Sequence, residues 1–251
     1  MKILVIGGTG RIGSKVVERL RAKGHEVVPA APSTGVDVLT GEGLDAAMTG
    51  TSVVVDLANS PSFERDAART FFERAGNNVL AAEAKAGVKH HVALSVVGTE
   101  RPEANDYFLA KRAQEDLIRN ASVPYTIIHS TQFYEFLPGI IDSAVDGTKV
   151  RLSTANIQPI AAEDVADAVA RIALDPPANG VVQIAGPERA PLDELARRYL
   201  QIVKDPREVV GDAQAPYFGA ALKTNTLVPE GDAWHGALNL DRWIAQSDVA
   251  R

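Results

Sequence analysis

The strongest constraint on what this 251-residue chain can fold into lies in its first fourteen residues. A short apolar run, Ile3-Leu4-Val5-Ile6, leads directly into Gly7-Gly8-Thr9-Gly10-Arg11-Ile12-Gly13. A buried strand that stops at clustered glycines and restarts as a helix builds a phosphate site. The glycines permit a tight turn and let backbone N–H groups approach a pyrophosphate at the helix N-terminus. The spacing G-x-G-x-x-G is weak on its own, but here the required context surrounds it. Val16, Val17 and Leu20 give the following helix its apolar face, and Gly24 ends it. Gly7, Gly8, Thr9, Gly10, Arg11, Ile12 and Gly13 are therefore expected to bind a dinucleotide.

Beyond this unit, strand and helix patterns alternate. Strands are expected at His25–Pro29, Val53–Leu57, His91–Leu94 and Tyr125–His129, with a brief one at Val36–Leu39. Helical patterns cover Leu44–Met48, Phe63–Ala86 and Asp106–Asn120. Val53-Val54-Val55 is a continuous apolar run, as for a strand buried on both faces. The alternation predicts a Rossmann-type α/β fold: a doubly wound, mainly parallel sheet with right-handed crossovers. After about residue 130 the rhythm loosens. Helices are expected over Phe133–Val145, Ala162–Leu174, Leu192–Val203 and Leu240–Ala245, with extended segments at Lys149–Leu152 and Val181–Ile184. The chain reads as one NAD(P)-binding domain over 1–251, of which about 130–251 contributes a small C-terminal substrate-binding lobe.

Composition narrows the function classes. A formal net charge of −6 offers no basic face for nucleic acid. The absence of cysteine removes disulfides, thiolate nucleophiles and cysteine-based metal sites, and no metal is expected. The first strand starts at once, leaving no room for a signal peptide, and no apolar run approaches a membrane span. A cytoplasmic protein acting on a small molecule is expected, with a homo-oligomer left open. Paired His90-His91, ahead of a strand, reads as a surface turn, and Glu163-Asp164 reads as the cap of the helix that follows.

A dinucleotide site selective for NAD usually carries an acid about twenty residues past the glycines, bonded to the ribose 2′-hydroxyl. Here the second strand runs into Pro29-Ala30-Ala31-Pro32-Ser33-Thr34, without one. The expected cofactor is therefore NADP, with NAD as the alternative. Ser33 and Thr34 are candidate donors to the 2′-phosphate, Arg11 a candidate positive charge, and Asp37 a candidate for the adenine edge or for a loop cap.

Tyr107 and Lys111 lie four residues apart on one helix, so both project from the same face. A lysine beside a tyrosine stabilises the phenolate and draws the phenol down from about 10 toward the working range of a general acid. Such a tyrosine could protonate a carbonyl oxygen as hydride reaches the carbon. Phe133, Tyr134, Tyr217 and Phe218 are candidate walls of an apolar substrate pocket.

These features make the chain resemble the short-chain dehydrogenase/reductase superfamily, in its atypical, NmrA-like NAD(P)-binding branch. The resemblance rests on Gly7 to Gly13, Leu94-Ser95-Val96-Val97-Gly98, Tyr107 to Lys111 and Pro124-Tyr125-Thr126-Ile127-Ile128. Gln132-Phe133-Tyr134 and Ile160 to Ala168 extend it along the chain. It implies Tyr107 as proton donor, Lys111 as holder of the nicotinamide ribose and tuner of Tyr107, and Ser95 as partner of the substrate carbonyl. Ala58 and Asn59 would flank the cofactor. His129 stands where many relatives carry arginine. The implied activity is hydride transfer from NAD(P)H to a carbonyl, quinone or similar electrophile. The rival from a different class is a redox-sensing regulator that binds NAD(P) without turnover.

Overall fold

The computed structural model describes residues 1–101 and 105–247. In the first half, β1 (Lys2–Ile6), α1 (Arg11–Ala22) and β2 (Glu26–Ala30) are followed by a short 3-10 turn over Pro32–Thr34. Next come α2 (Leu44–Met48), β3 (Val53–Asp56), α3 (Arg65–Ala86), β4 (His90–Val96), α4 (Asp106–Asn120) and β5 (Tyr125–Ser130). The second half holds α5 (Leu137–Ser143), β6 (Val145–Asp146), β7 (Lys149–Leu152), β8 (Asn156–Ile157), α6 (Ala162–Ile172) and β9 (Gly180–Ala185). It closes with β10 (Ala190–Pro191), α7 (Leu192–Ile202), β11 (Glu208–Gly211), β12 (Trp234–His235) and α8 (Leu240–Gln246).

Seven strands form one parallel sheet in the order β12-β9-β5-β4-β3-β1-β2. This is the expected Rossmann-type arrangement. Strand alternation divides its core. Ile3, Val5, Val55, Val92 and Ile128 pack with α1 and α6, whereas Leu4, Ile6 and Val54 pack with α2 and α3 on the other face. A separate apolar cluster gathers α5, β7, α7 and α8 around Tyr134, Leu195, Tyr199 and Trp243. No helix among the described residues is long and apolar enough to cross a membrane.

Several local expectations are corrected. Val36–Leu39 is not a strand: it is a loop whose Asp37 carboxylate accepts from the amides of Leu39 at 2.7 Å and Thr40 at 3.3 Å. Phe133–Val145 is not one helix, because a 3-10 turn at Tyr134–Phe136 precedes α5 and Val145 pairs as a strand. His90 and His91 are not a surface turn: both are buried in β4, paired between β3 and β5. Glu163 bridges to Lys15 and Arg19 of α1, and Asp164 accepts from the Leu238 amide at 2.9 Å. The pair ties α6 to its neighbours rather than capping it.

Candidate active site

The glycine turn after β1 is built by close approach. Gly7 adopts φ +71°, and a Cβ there would meet the Leu57 carbonyl at 2.9 Å. A Cβ on Gly8 would lie 2.7 Å from both Pro29 Cα and the Val5 carbonyl, and one on Gly13 only 2.1 Å from the Gly7 carbonyl. Gly10 is different: its outer side faces open space, with the Gly7 carbonyl at 3.2 Å as the sole neighbour. It is also the N-cap of α1 and carries no side-chain cap. The backbone amides of Arg11, Ile12 and Gly13 find no acceptor among the described residues, as expected for a first helical turn. Orphan amides, the positive end of the helix and a surface free of Cβ atoms fit a pyrophosphate.

At the end of β2 no carboxylate follows Ala30. Ser33 and Arg11 are exposed. The Thr34 hydroxyl is occupied by its own turn, lying 2.9 Å from both the Ala31 amide and carbonyl and 3.1 Å from the Pro29 carbonyl. Beyond β3, Asp56 fixes the next loop by accepting from the Ala58 amide at 2.9 Å. Asn59 then meets Tyr107, whose hydroxyl donates to Asn59 Oδ1 at 2.8 Å.

Tyr107 stands on the first turn of α4, which Asn105 caps by accepting from the Phe108 amide. Phe63 packs on its ring at a centroid distance of 5.2 Å. Burial pushes the Tyr107 phenol up from its ordinary value of 10. Lys111 does not counter this, because its ammonium points inward. It donates to the Leu94 carbonyl at 2.9 Å and to Gln114 Oε1, and lies 4.5 Å above the Phe72 ring. Burial lowers Lys111 to about 8, against the opposing pull of Asp56 and Glu115. Gln114 passes the connection on, donating to Asp56 Oδ2 at 2.9 Å. The expected tuning of Tyr107 by Lys111 is thus absent from this arrangement.

Ser95 is also turned elsewhere. Side chains alternate along β4, so Ser95 shares a face with His91 and Ala93, toward α3 and α4. Its hydroxyl donates to Glu115 Oε1. The same oxygen meets His129 Nε2 at 3.0 Å, and Arg119 donates to Oε2 at 2.8 Å. These partners together hold the Glu115 carboxyl below its usual range despite the opposing effect of burial. Asp56, Gln114 and Glu115 were not singled out from the sequence. Their signals were an acid closing an apolar strand and polar residues three and four positions beyond Lys111.

The four candidate pocket aromatics divide. Tyr134 is fully buried and stacks on Trp243 at 5.4 Å, and Tyr217 is buried beside Phe218 at 4.9 Å. Both belong to the apolar core of the C-terminal lobe. Phe218 is 56% exposed at φ +45°, and Phe133 stacks on the exposed Phe136 at 5.3 Å. Between β5 and this aromatic pair lies Gln132, quoted above only as part of a motif, with a buried side-chain amide that has no partner among the described residues.

Comparison with known proteins places these features in context. The chain is 32% identical over 160 residues to a (4-alkanoyl-5-oxo-2,5-dihydrofuran-3-yl)methyl phosphate reductase of Streptomyces griseus, covering 57% of this chain and 53% of that protein. It is 27% identical over 242 residues to a chloroplastic divinyl chlorophyllide a 8-vinyl-reductase of Oryza sativa, covering 82% of this chain and 60% of the relative. It therefore spans less than two thirds of the length of either. A short-chain dehydrogenase/reductase superfamily protein from Agrobacterium tumefaciens, solved with bound NAD, shares the fold with a TM-score of 0.74 at 19% identity, covering 100% of this chain and 97% of that one. The model of an NAD(P)H-binding family matches residues 7–176, from the glycine turn to the end of α6 and just beyond. With the glycine cradle, the parallel sheet and this match in agreement, the chain belongs to the NAD(P)H-binding family.

Proposed function

We propose that the chain is an oxidoreductase that uses NADP(H), with NAD(H) as the lesser cofactor, to reduce a carbonyl, quinone or similar small electrophile. The observation that carries this reading is the Tyr107 hydroxyl. It sits 2.8 Å from Asn59, just past the carboxyl end of β3 and at the same sheet edge as the glycine turn. A bound NAD(P)H supplies a hydride to the acceptor carbon. Tyr107 supplies the proton to the acceptor oxygen as negative charge develops there. Burial keeps the phenol protonated in the free protein, so the proton is in place before an acceptor arrives. In this reading Lys111 secures α4 against β4 and reaches the cofactor ribose only by exchanging its bond to Gln114. Ser95, whose hydroxyl serves Glu115, takes no part. The missing acid after β2 and the exposed Ser33 and Arg11 support NADP.

The inward-turned Lys111 favours, as a second reading, a regulator that holds the dinucleotide without turnover. Purified protein mixed with NADPH or NADH and a panel of quinones and ketones separates the two. Loss of reduced-cofactor absorbance, faster with NADPH, is the expected result. Tight cofactor binding with no oxidation by any acceptor would overturn the oxidoreductase reading.

A further inference from the structure

Gln132 lies two residues beyond β5, at the carboxyl edge of the central sheet. Its side chain is 7% exposed, and both Nε2 and Oε1 are buried without a hydrogen-bond partner among the described residues. Its own carbonyl and the side chains of Thr131 and Gln158 are paired. The Gln132 carbonyl accepts from the Ile160 amide at 2.9 Å. Thr131 Oγ1 donates to the Gln158 carbonyl at 2.7 Å, and Gln158 Nε2 donates to the Gly186 carbonyl at 2.8 Å. A buried amide with both ends unpaired is rare in a folded chain, because its desolvation is not recovered. Such a group invites a ligand that carries a donor and an acceptor side by side.

The topology says which part of a dinucleotide arrives there. The pyrophosphate belongs at the β1–α1 turn, and the adenosine ribose is read at the end of β2. In the sheet order β2-β1-β3-β4-β5, the other half of the molecule must extend over β3 and β4 toward β5. Phosphates only accept hydrogen bonds, whereas the nicotinamide carboxamide presents an N–H and a C=O together. We propose that the Gln132 amide is the partner of that carboxamide: Oε1 accepts from its N–H and Nε2 donates to its C=O. The pair forms after rotation about the glutamine side-chain bonds, and it fixes which face of the ring points at the substrate. The assignment rests on dinucleotide binding and is independent of the proton-donor role of Tyr107.

Calorimetric titration and thermal melting of the wild type and Gln132→Leu test it with three probes. These are NADP+, its 3-acetylpyridine analogue, which lacks the carboxamide N–H, and adenosine 2′,5′-bisphosphate. The free variant is expected to melt no lower than the wild type, since an unpaired buried amide is removed. It should bind NADP+ on the order of tenfold more weakly and adenosine bisphosphate unchanged. The wild type should favour NADP+ over the analogue, and the variant should bind the two alike. The wild-type ratio reads the pairing without any substitution. Equal wild-type affinity for NADP+ and the analogue, or equal losses for NADP+ and adenosine bisphosphate in the variant, would overturn the assignment alone. A wild type that binds none of the probes would overturn the cofactor reading and the assignment with it.

Discussion

The Tyr107 hydroxyl donates to Asn59 Oδ1 across 2.8 Å, joining the first turn of α4 to the loop after β3. Asn59 thereby decides where the phenolic proton points before any substrate arrives. Asn59→Ala frees that rotor while leaving the phenol in place. Turnover is expected to fall by about tenfold, a share of the total contribution of a positioned acid. Steady-state kinetics should show the loss in kcat.

Within the glycine turn, two positions separate binding from folding. Gly13→Ala drives a Cβ to 2.1 Å from the Gly7 carbonyl, so the backbone must shift. A stability loss of about 3 kcal/mol is expected from such overpacking. Gly10→Ala meets only one atom, at 3.2 Å. It should cost less than about 1 kcal/mol in the free protein, yet weaken dinucleotide binding by about tenfold or more, since the Cβ occupies the surface the pyrophosphate approaches. Denaturant unfolding and cofactor titration of both variants check the contrast.

Ser95 and Glu115 yield a separation of another kind. Ser95→Ala removes one hydrogen bond to a buried carboxylate and is expected to cost about 1–2 kcal/mol of stability with kcat unchanged. Glu115→Ala also removes the carboxylate that meets His129 and one of the two carboxylates paired with Arg119, and should cost about 3 kcal/mol. A large kcat loss in Ser95→Ala with unaltered stability would return this serine to the chemistry.

His90 makes stability depend on pH. The Thr126 hydroxyl accepts from the Ala178 amide at 3.0 Å, and its proton is free for His90 Nε2 at 2.9 Å, which accepts only when the ring is neutral. Burial, aided by the charge on His91, lowers His90 from 6.5 to about 4. Between those values the unfolded chain binds a proton that the folded chain refuses, so stability falls as the pH drops through this window. The loss is roughly 2–3 kcal/mol by pH 4. His90→Gln keeps an acceptor for Thr126 without titrating, and its melting temperature should fall less over the same range.

The parts of the fold legible in the sequence were those with unbroken periodicity. The α4 helix, Asp106–Asn120, emerged at its observed bounds, and the β1–α1 unit emerged in type and order, because apolar spacing and breakers agree there. The two-residue strands β6, β8, β10 and β12 left no pattern long enough to detect. At the candidate site, the close-packed glycine turn was located from the sequence, whereas Ser95 illustrates the limit. A distance of twelve residues along the chain says nothing of which face of β4 a side chain occupies. Tyr134 was read as a pocket wall from the spacing of aromatics there, while tertiary packing turned it onto Trp243. Gln132 was quoted as part of a motif but given no role, because an unsatisfied amide is a property of its surroundings, which only the folded chain supplies.

The central claim is that Tyr107 delivers the proton that accompanies hydride transfer. Its most direct test is the single-turnover rate of NADPH oxidation by Tyr107→Phe with an acceptor that the wild type reduces, measured together with NADPH affinity. The side chain keeps its ring and its packing on Phe63, and loses only the hydroxyl. The account predicts a rate lower by roughly 10²–10⁴ with near-native affinity. A variant that binds NADPH normally and oxidises it at the wild-type rate would contradict the account.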